Sequence, residues 1–159
     1  MPDVYRNFSP QIEARVEDLL SKMSLEEKVG QMTGFRILSL GEALEAVEKY
    51  HAGAGGPSFF WQKPTNLTDF INSVQKYAVE KSRLGIPLLL YTDAVHGHAN
   101  VNGATVFPHN LAMASTWNPE LLLKVADVTA REARATGINQ NCSPVCDVAR
   151  DPRWGRVYE

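Results

Sequence analysis

Apolar positions recur along this chain in two rhythms, one helical and one of short unbroken runs. Ile12, Val16, Leu19, Leu20 and Met23 return at three- and four-residue steps, the period of an amphipathic helix. Ser9 and Pro10 stand before them as N-cap and first helical residue. Ser24 with Glu27 makes a capping-box pattern and predicts a short helix to about Met32, which Gly34 would end. Glu42 to Tyr50 predicts a further helix with Leu44, Val47 and Tyr50 on one side. Asn66 to Leu84 predicts another through Leu67, Phe70, Ile71, Val74, Tyr77 and Ala78, with Gly85 as its C-cap. Asn118-Pro119-Glu120 is a helix start, with cap, proline and acid in the first turn. Leu121, Leu122, Val125, Val128 and Thr129 line one face of that helix, Asp127 and Arg131 can pair on the other, and Gly137 ends it.

The unbroken runs fall between the helices. Leu88 to Leu90, after Pro87, suits a strand buried on both faces. Ala54 to Phe60 reads as a short strand among glycines, and Ile138 to Val145 as another. Phe59, Phe60 and Trp61 read as core packing before they read as a wall for stacking a sugar. Helices alternating with short strands favour a parallel sheet, here of about three units. No repeat or low-complexity linker marks a second domain.

Composition narrows the function classes. The hydrophobic share of 44% and charged share of 21% are ordinary for a globular domain, and 159 residues suffice for one core. A net charge of -2 gives no electrostatic reason for nucleic acid or an anionic membrane as partner. No stretch is apolar for the ~20 residues a membrane span needs. Met1 to Arg15 is polar, without an apolar signal core, which fits a cytoplasmic protein or one whose leader has been removed, a secreted or periplasmic form included. Cys142 and Cys146 are too few for a disulfide scaffold, and buried free thiols are expected.

Two strand-end loops carry the chemistry. After Leu90 come Thr92, Asp93, His96 and His98, and in parallel sheets sites gather at the carboxyl ends of strands. The second loop, Asp147 to Glu159, holds Arg150, Asp151, Arg153 and Arg156 around Trp154. Arginine forks bind carboxylates and vicinal hydroxyls. Asp93 facing them would line a pocket with acceptors and donors, as neutral sugars require. One of the three arginines is expected to be functional and two structural, at least one pairing with Asp151 or Glu159.

Five motifs then occur in order: Leu25-Glu-Glu-Lys-Val-Gly-Gln-Met32, Thr92-Asp-Ala-Val-His-Gly-His98, Gly103-Ala-Thr-Val-Phe-Pro-His-Asn110, Glu132-Ala-Arg-Ala-Thr-Gly137 and Ser143-Pro-Val-Cys-Asp-Val-Ala-Arg-Asp-Pro-Arg-Trp-Gly-Arg156. From about Ser24 onward the chain resembles the N-terminal part of glycoside hydrolase family 3, the β-glucosidase and β-xylosidase type. The resemblance implies an α/β fold, a partial (β/α)8 TIM-like barrel of roughly three β/α units. Residues 1–159 would be the N-terminal portion of the barrel domain, with 1–23 a leading helix. The rest of the barrel and a second α/β domain would follow in the complete protein.

It further implies a retaining, exo-acting β-glycosidase that needs no cofactor or metal and acts on a β-glucoside, β-xyloside or oligosaccharide. Asp93 and Arg156 match residues that bind the terminal sugar. His96 and His98 match a site-supporting loop, and His109 and Asn110 a structural motif. A retaining glycosidase needs two carboxyl groups about 5–5.5 Å apart. The family's Ser-Asp-Trp-like nucleophile motif and its Lys-His pair are absent here, and its acid/base lies later still. No catalytic residue is therefore expected within the chain, which alone should not hydrolyse glycosides. Two alternatives stand beside this reading: a non-catalytic sugar-binding remnant, and a metal-dependent hydrolase using His96 and His98 with His109, Asp147 or Cys146.

Overall fold

The computed structural model describes residues 11–57 and 63–159. Ser9, Pro10, Phe59, Phe60 and Trp61 lie outside them. Two helices lead the chain, α1 (Ile12–Lys22) and α2 (Leu25–Gln31). There follow β1 (Gly34–Ile37), α3 (Leu40–Tyr50), β2 (Ala54–Pro57), α4 (Pro64–Lys81), β3 (Leu89–Thr92), the short α5 (Asn110–Ala114), α6 (Pro119–Ala135) and β4 (Gln140–Asn141).

The four strands form one sheet in the order β1-β2-β3-β4, and every neighbouring pair is parallel. Each crossover therefore advances the sheet by one strand in one direction. A doubly wound sheet would reverse its order part-way; a barrel wall does not. The architecture is a partial barrel of three strand–helix crossovers plus a fourth strand, one strand more than the sequence pattern showed.

The two faces of the sheet differ. Ile37, Leu88 and Leu90 turn one way, into a core with Ala43 and Val47 of α3, Leu67, Ile71, Val74 and Ala78 of α4, and Ala133 of α6. Fully burying one such leucine is worth about 1.5–3 kcal/mol. Leu89 points to the other face and is 46% exposed, whereas Leu90 is fully buried. The expectation of a strand buried on both faces is thus corrected: among the described residues only one face is covered by helices. The open face is the one a closed barrel turns inward.

That open face explains Gly56 of β2. A Cβ at Gly56 would lie 2.5 Å from Cε2 of Tyr91, whose ring leans across β2. Its hydroxyl donates to the Phe35 carbonyl of β1 at 3.3 Å. Glycine in β2 is the space that the ring of β3 occupies.

Helix starts follow their signals. Ser24 Oγ accepts from Glu27 N, and the Glu27 carboxylate accepts from Ser24 N at 2.8 Å, closing the capping box. Asn118 caps α6 through Leu121 N, with Pro119 first in the helix. Several ends differ from expectation. Gly34 opens β1 instead of ending α2. The fourth helix starts at Pro64 and stops at Lys81, so Gly85 lies beyond its C-cap Ser82. β4 ends at Asn141, not Val145. The apolar face of α1 forms, yet Ile12, Val16 and Leu20 stay exposed. No helix among the described residues is long and apolar enough to cross a membrane.

Candidate sugar site at the carboxyl ends of the strands

β3 delivers Asp93 one residue past its last ladder position, and β4 delivers Ser143 two residues past its own. The two strands run parallel, with Thr92 opposite Asn141, so both loops leave on the same edge. Asn141 ties them: its Oδ1 accepts from Ala94 N at 2.9 Å. Cys142 N donates to the Thr92 carbonyl at 2.8 Å. Ser143 Oγ then donates to Asp93 Oδ1 at 2.7 Å. Arg156 comes from 63 residues further on and donates through Nη2 to Asp93 Oδ2 at 3.0 Å. The structure brings together the two residues read as sugar-binding.

Arg156 is gripped a second time. Its Nε donates to Glu159 Oε1 at 2.7 Å, and Nη2 also bonds Glu159 Oε2. These bonds, with Glu159 first and Asp93 after it, raise the guanidinium pKa above its ordinary value. In return Arg156 holds the Glu159 carboxyl below its usual range. The hydrogen bonds leave a definite surplus. A carboxylate offers about four acceptor positions, and Asp93 has used two. Neither N–H of Arg156 Nη1 has a partner among the described residues. Asp93 can therefore accept and Arg156 can donate toward one ligand, a pattern that fits adjacent hydroxyls. Both side chains are nearly half exposed, so the surplus is reachable.

Of the other two arginines, one makes the expected pairing with Asp151. Arg153 pairs with Asp151, which its bonds hold below the usual carboxyl range. Arg150 is exposed. Arg156 alone of the three reaches Asp93.

The histidines sit behind this pair. A carbonyl only accepts, so His96 Nδ1 carries a proton and donates to the Phe107 carbonyl at 2.7 Å. Thr136 Oγ1 donates to the Ala133 carbonyl and so accepts from His98 Nε2 at 2.9 Å. His98 is 2% exposed, and its Nδ1 has no partner among the described residues. Burial pushes its pKa down, against a smaller upward pull from Glu132. His98 is a neutral packing residue between the β3 loop and α6. Gly97 between them adopts φ +104, and a Cβ there would meet the Thr105 carbonyl at 2.1 Å.

The metal alternative does not find its geometry. His96 and His98 are turned to Phe107 and Thr136, and no group of three or more His, Cys, Asp or Glu among the described residues could hold a metal ion. Cys142 and Cys146 are exposed, which corrects the expectation of buried thiols. The ladder stops at Asn141, so both cysteines belong to an open loop and not to a covered strand. Clefts beside Glu27, His51 and Arg83, and along α6 and β4, do not include Asp93 or Arg156.

Residues that the sequence reading missed are Ser143 and Asn141. Each is a small polar residue at a strand end, a signal that becomes specific only once the partner strand is known.

Residues 24–159 match the model of the glycosyl hydrolase family 3 N terminal domain. The chain belongs to glycosyl hydrolase family 3. Among its family 3 relatives, the periplasmic beta-glucosidase of Salmonella typhimurium is 39% identical over 92% of this chain and 18% of its own length. The lysosomal beta glucosidase of Dictyostelium discoideum is 32% identical over 96% of this chain and 21% of its own. An exo-1,3/1,4-beta-glucanase from a Pseudoalteromonas species superimposes with a TM-score of 0.79 at 33% identity, covering 93% of this chain and 25% of that one. The family 3 chain thus spans about a fifth of the length of the curated relatives it matches.

Proposed function

We propose that this chain supplies the sugar-holding part of a retaining, exo-acting β-glycosidase that releases terminal β-D-glycosyl residues. The observation that carries the reading is the Asp93–Arg156 pair at the carboxyl edge of a parallel sheet, with acceptor capacity left on Asp93 and donor capacity left on Arg156. Its relatives bear the names of β-glucosidases and a β-xylosidase. Asp93 and Arg156 bind hydroxyls of the terminal sugar, and His96 and His98 support the loop that carries Asp93.

The chemistry of retention assigns the remaining parts elsewhere. The reaction needs a nucleophilic carboxylate and a second carboxyl that first donates a proton and then accepts one. Glu159 is held ionised by Arg156, which unsuits it as a proton donor. Asp93 spends its bonds on Ser143 and Arg156, as a binding group does. Membership of family 3 implies that the nucleophile and acid/base, the rest of the barrel and a second α/β domain come from residues outside 1–159.

The test compares this chain with its full-length gene product on aryl β-glucoside and aryl β-xyloside. Turnover by the full-length protein alone is the expected result. Turnover by residues 1–159 alone, abolished in Asp93→Asn, would overturn the assignment of the reacting carboxyls. Sugar binding with turnover by neither would favour the non-catalytic reading.

A further inference from the structure

The motif that ends in His109 and Asn110 touches neither Asp93 nor Arg156 directly, yet the structure gives it a place in the same site. The segment 144–159 carries Arg156 but has no strand or helix of its own. Among the described residues, two hydrogen bonds tie it to the rest of the protein. One is Arg156 to Asp93, and the other runs from Leu111 N to the Tyr158 carbonyl at 3.2 Å. The second starts in the first turn of α5, whose N-cap is His109.

Ring contacts reinforce the same junction. The His109 ring lies 4.2 Å from that of His96 between centroids, and 4.7 Å from that of Tyr158 in an edge-on arrangement. His96 is in turn fixed to Phe107 by two bonds, Phe107 N to its carbonyl at 2.8 Å and its Nδ1 to the Phe107 carbonyl. The contacts close a circuit: Asp93 leads along its loop to His96, then to His109, Tyr158, Arg156 and back to Asp93. Tyr158 stands two residues from Arg156, and its ring and its carbonyl are both held. The guanidinium is thus aimed from behind as well as from its carboxylate partners.

We infer that His109 and Tyr158 are positioning residues for Arg156, wedging its segment so that the guanidinium stays on Asp93. The inference rests on the sugar-site reading for its kinetic consequence, though the circuit itself does not. An edge-on aromatic contact contributes modestly, so the expected loss on removing the ring is between about 2-fold and about 10-fold in sugar affinity.

The experiment uses the full-length protein with His109→Ala, His109→Phe, Arg156→Ala and the double variant His109→Ala with Arg156→Ala. Michaelis parameters are measured on an aryl β-glucoside, and hydrogen exchange is followed at the amides of residues 156–159. His109→Ala should raise KM by that factor with a smaller change in kcat, and His109→Phe, which keeps a ring, should recover most of the loss. In the Arg156→Ala background the His109→Ala change should add less than about 1.5-fold, because it acts through Arg156. An unchanged KM in His109→Ala, or the same loss with and without Arg156, would overturn the inference. If Arg156→Ala itself leaves hydrolysis untouched, the sugar-site reading is what fails. The positioning role is then decided by exchange alone: faster in His109→Ala but not in His109→Phe supports it, and unaltered exchange in both refutes it.

Discussion

Arg156 Nη2 lies 3.0 Å from Asp93 Oδ2 across 63 residues of sequence, with Glu159 holding the Nε–Nη2 edge of the same guanidinium. A fork shared between two carboxylates is oriented by both, and only the planar group can satisfy them together.

Arg156→Lys should therefore fail nearly as badly as Arg156→Ala. Lysine keeps the charge but presents one point donor instead of a fork. In the full-length protein, kcat/KM on an aryl β-glucoside should fall roughly 10-fold or more in both variants, the size of a lost charge-assisted hydrogen bond. Near-wild-type activity in Arg156→Lys would mean that charge, not geometry, is what the site uses.

Acid should weaken the fold in a window set by His98. Its folded pKa is lowered from 6.5 by burial, so the unfolded chain takes up the proton first as pH falls. The stability it contributes is complete above about pH 6.5 and is lost as pH drops from there through the lowered folded pKa. Replacing His98 with Gln should remove that part of the slope, read as denaturation midpoints between about pH 7 and about pH 5. A slope unchanged in His98→Gln would place the acid sensitivity elsewhere.

A second, lower window belongs to Glu27. Arg83 donates through Nε to Glu27 Oε1 at 2.9 Å, through Nη2 to Oε2, and through Nη2 to the Lys22 carbonyl at 2.7 Å. Arg83 first, opposed by burial and aided by Ser24 N, holds the Glu27 carboxyl below 4.5. Its contribution is present above the unfolded pKa and is lost as pH falls through the folded one. The carboxylate side chain is 11% exposed and the arginine 58%, so Arg83→Ala should cost about 1–2 kcal/mol, less than a fully buried pair. Thermal unfolding of Arg83→Ala and Glu27→Gln checks this, and equal stability of both variants with the parent would contradict it.

The glycine of β2 gives a packing prediction. Gly56→Ala puts a methyl 2.5 Å from the Tyr91 ring and should destabilise by about 1–3 kcal/mol. Combining it with Tyr91→Leu should return part of that loss, since the leucine need not lie across β2. Additive losses in the double variant would show that Tyr91 is not what the glycine accommodates.

Signals confined to a few neighbouring residues were legible in the sequence. Ser24 with Glu27, and Asn118 with Pro119, mark helix starts whose hydrogen bonds close within one turn, and both stand where the pattern puts them. Asp93 stood out as a candidate from its place after an apolar run, whereas Arg156 was singled out from three arginines only by the family resemblance. What escaped was decided by partners far away. β1 escaped because its short Gly-Phe-Arg-Ile run is mostly open, with Ile37 its one buried residue. β2 was legible as a strand from Ala54, but the reason for Gly56, the Tyr91 ring that lies over it, was not. The thiols were expected buried because two free cysteines with neither a disulfide nor a metal pattern are usually so, whereas pairing with β3 ends at Asn141 and leaves both in a loop. Ser143 gains its role only from the register that sets Asn141 beside Thr92.

The account stands most directly on what Asp93 does. The measurement is kcat/KM of the full-length protein on an aryl β-glucoside, for the parent and for Asp93→Ala. A carboxylate that holds two sugar hydroxyls should cost at least about 30-fold when removed. A change within about 2-fold, in a variant that keeps its fold, would contradict the sugar-site reading.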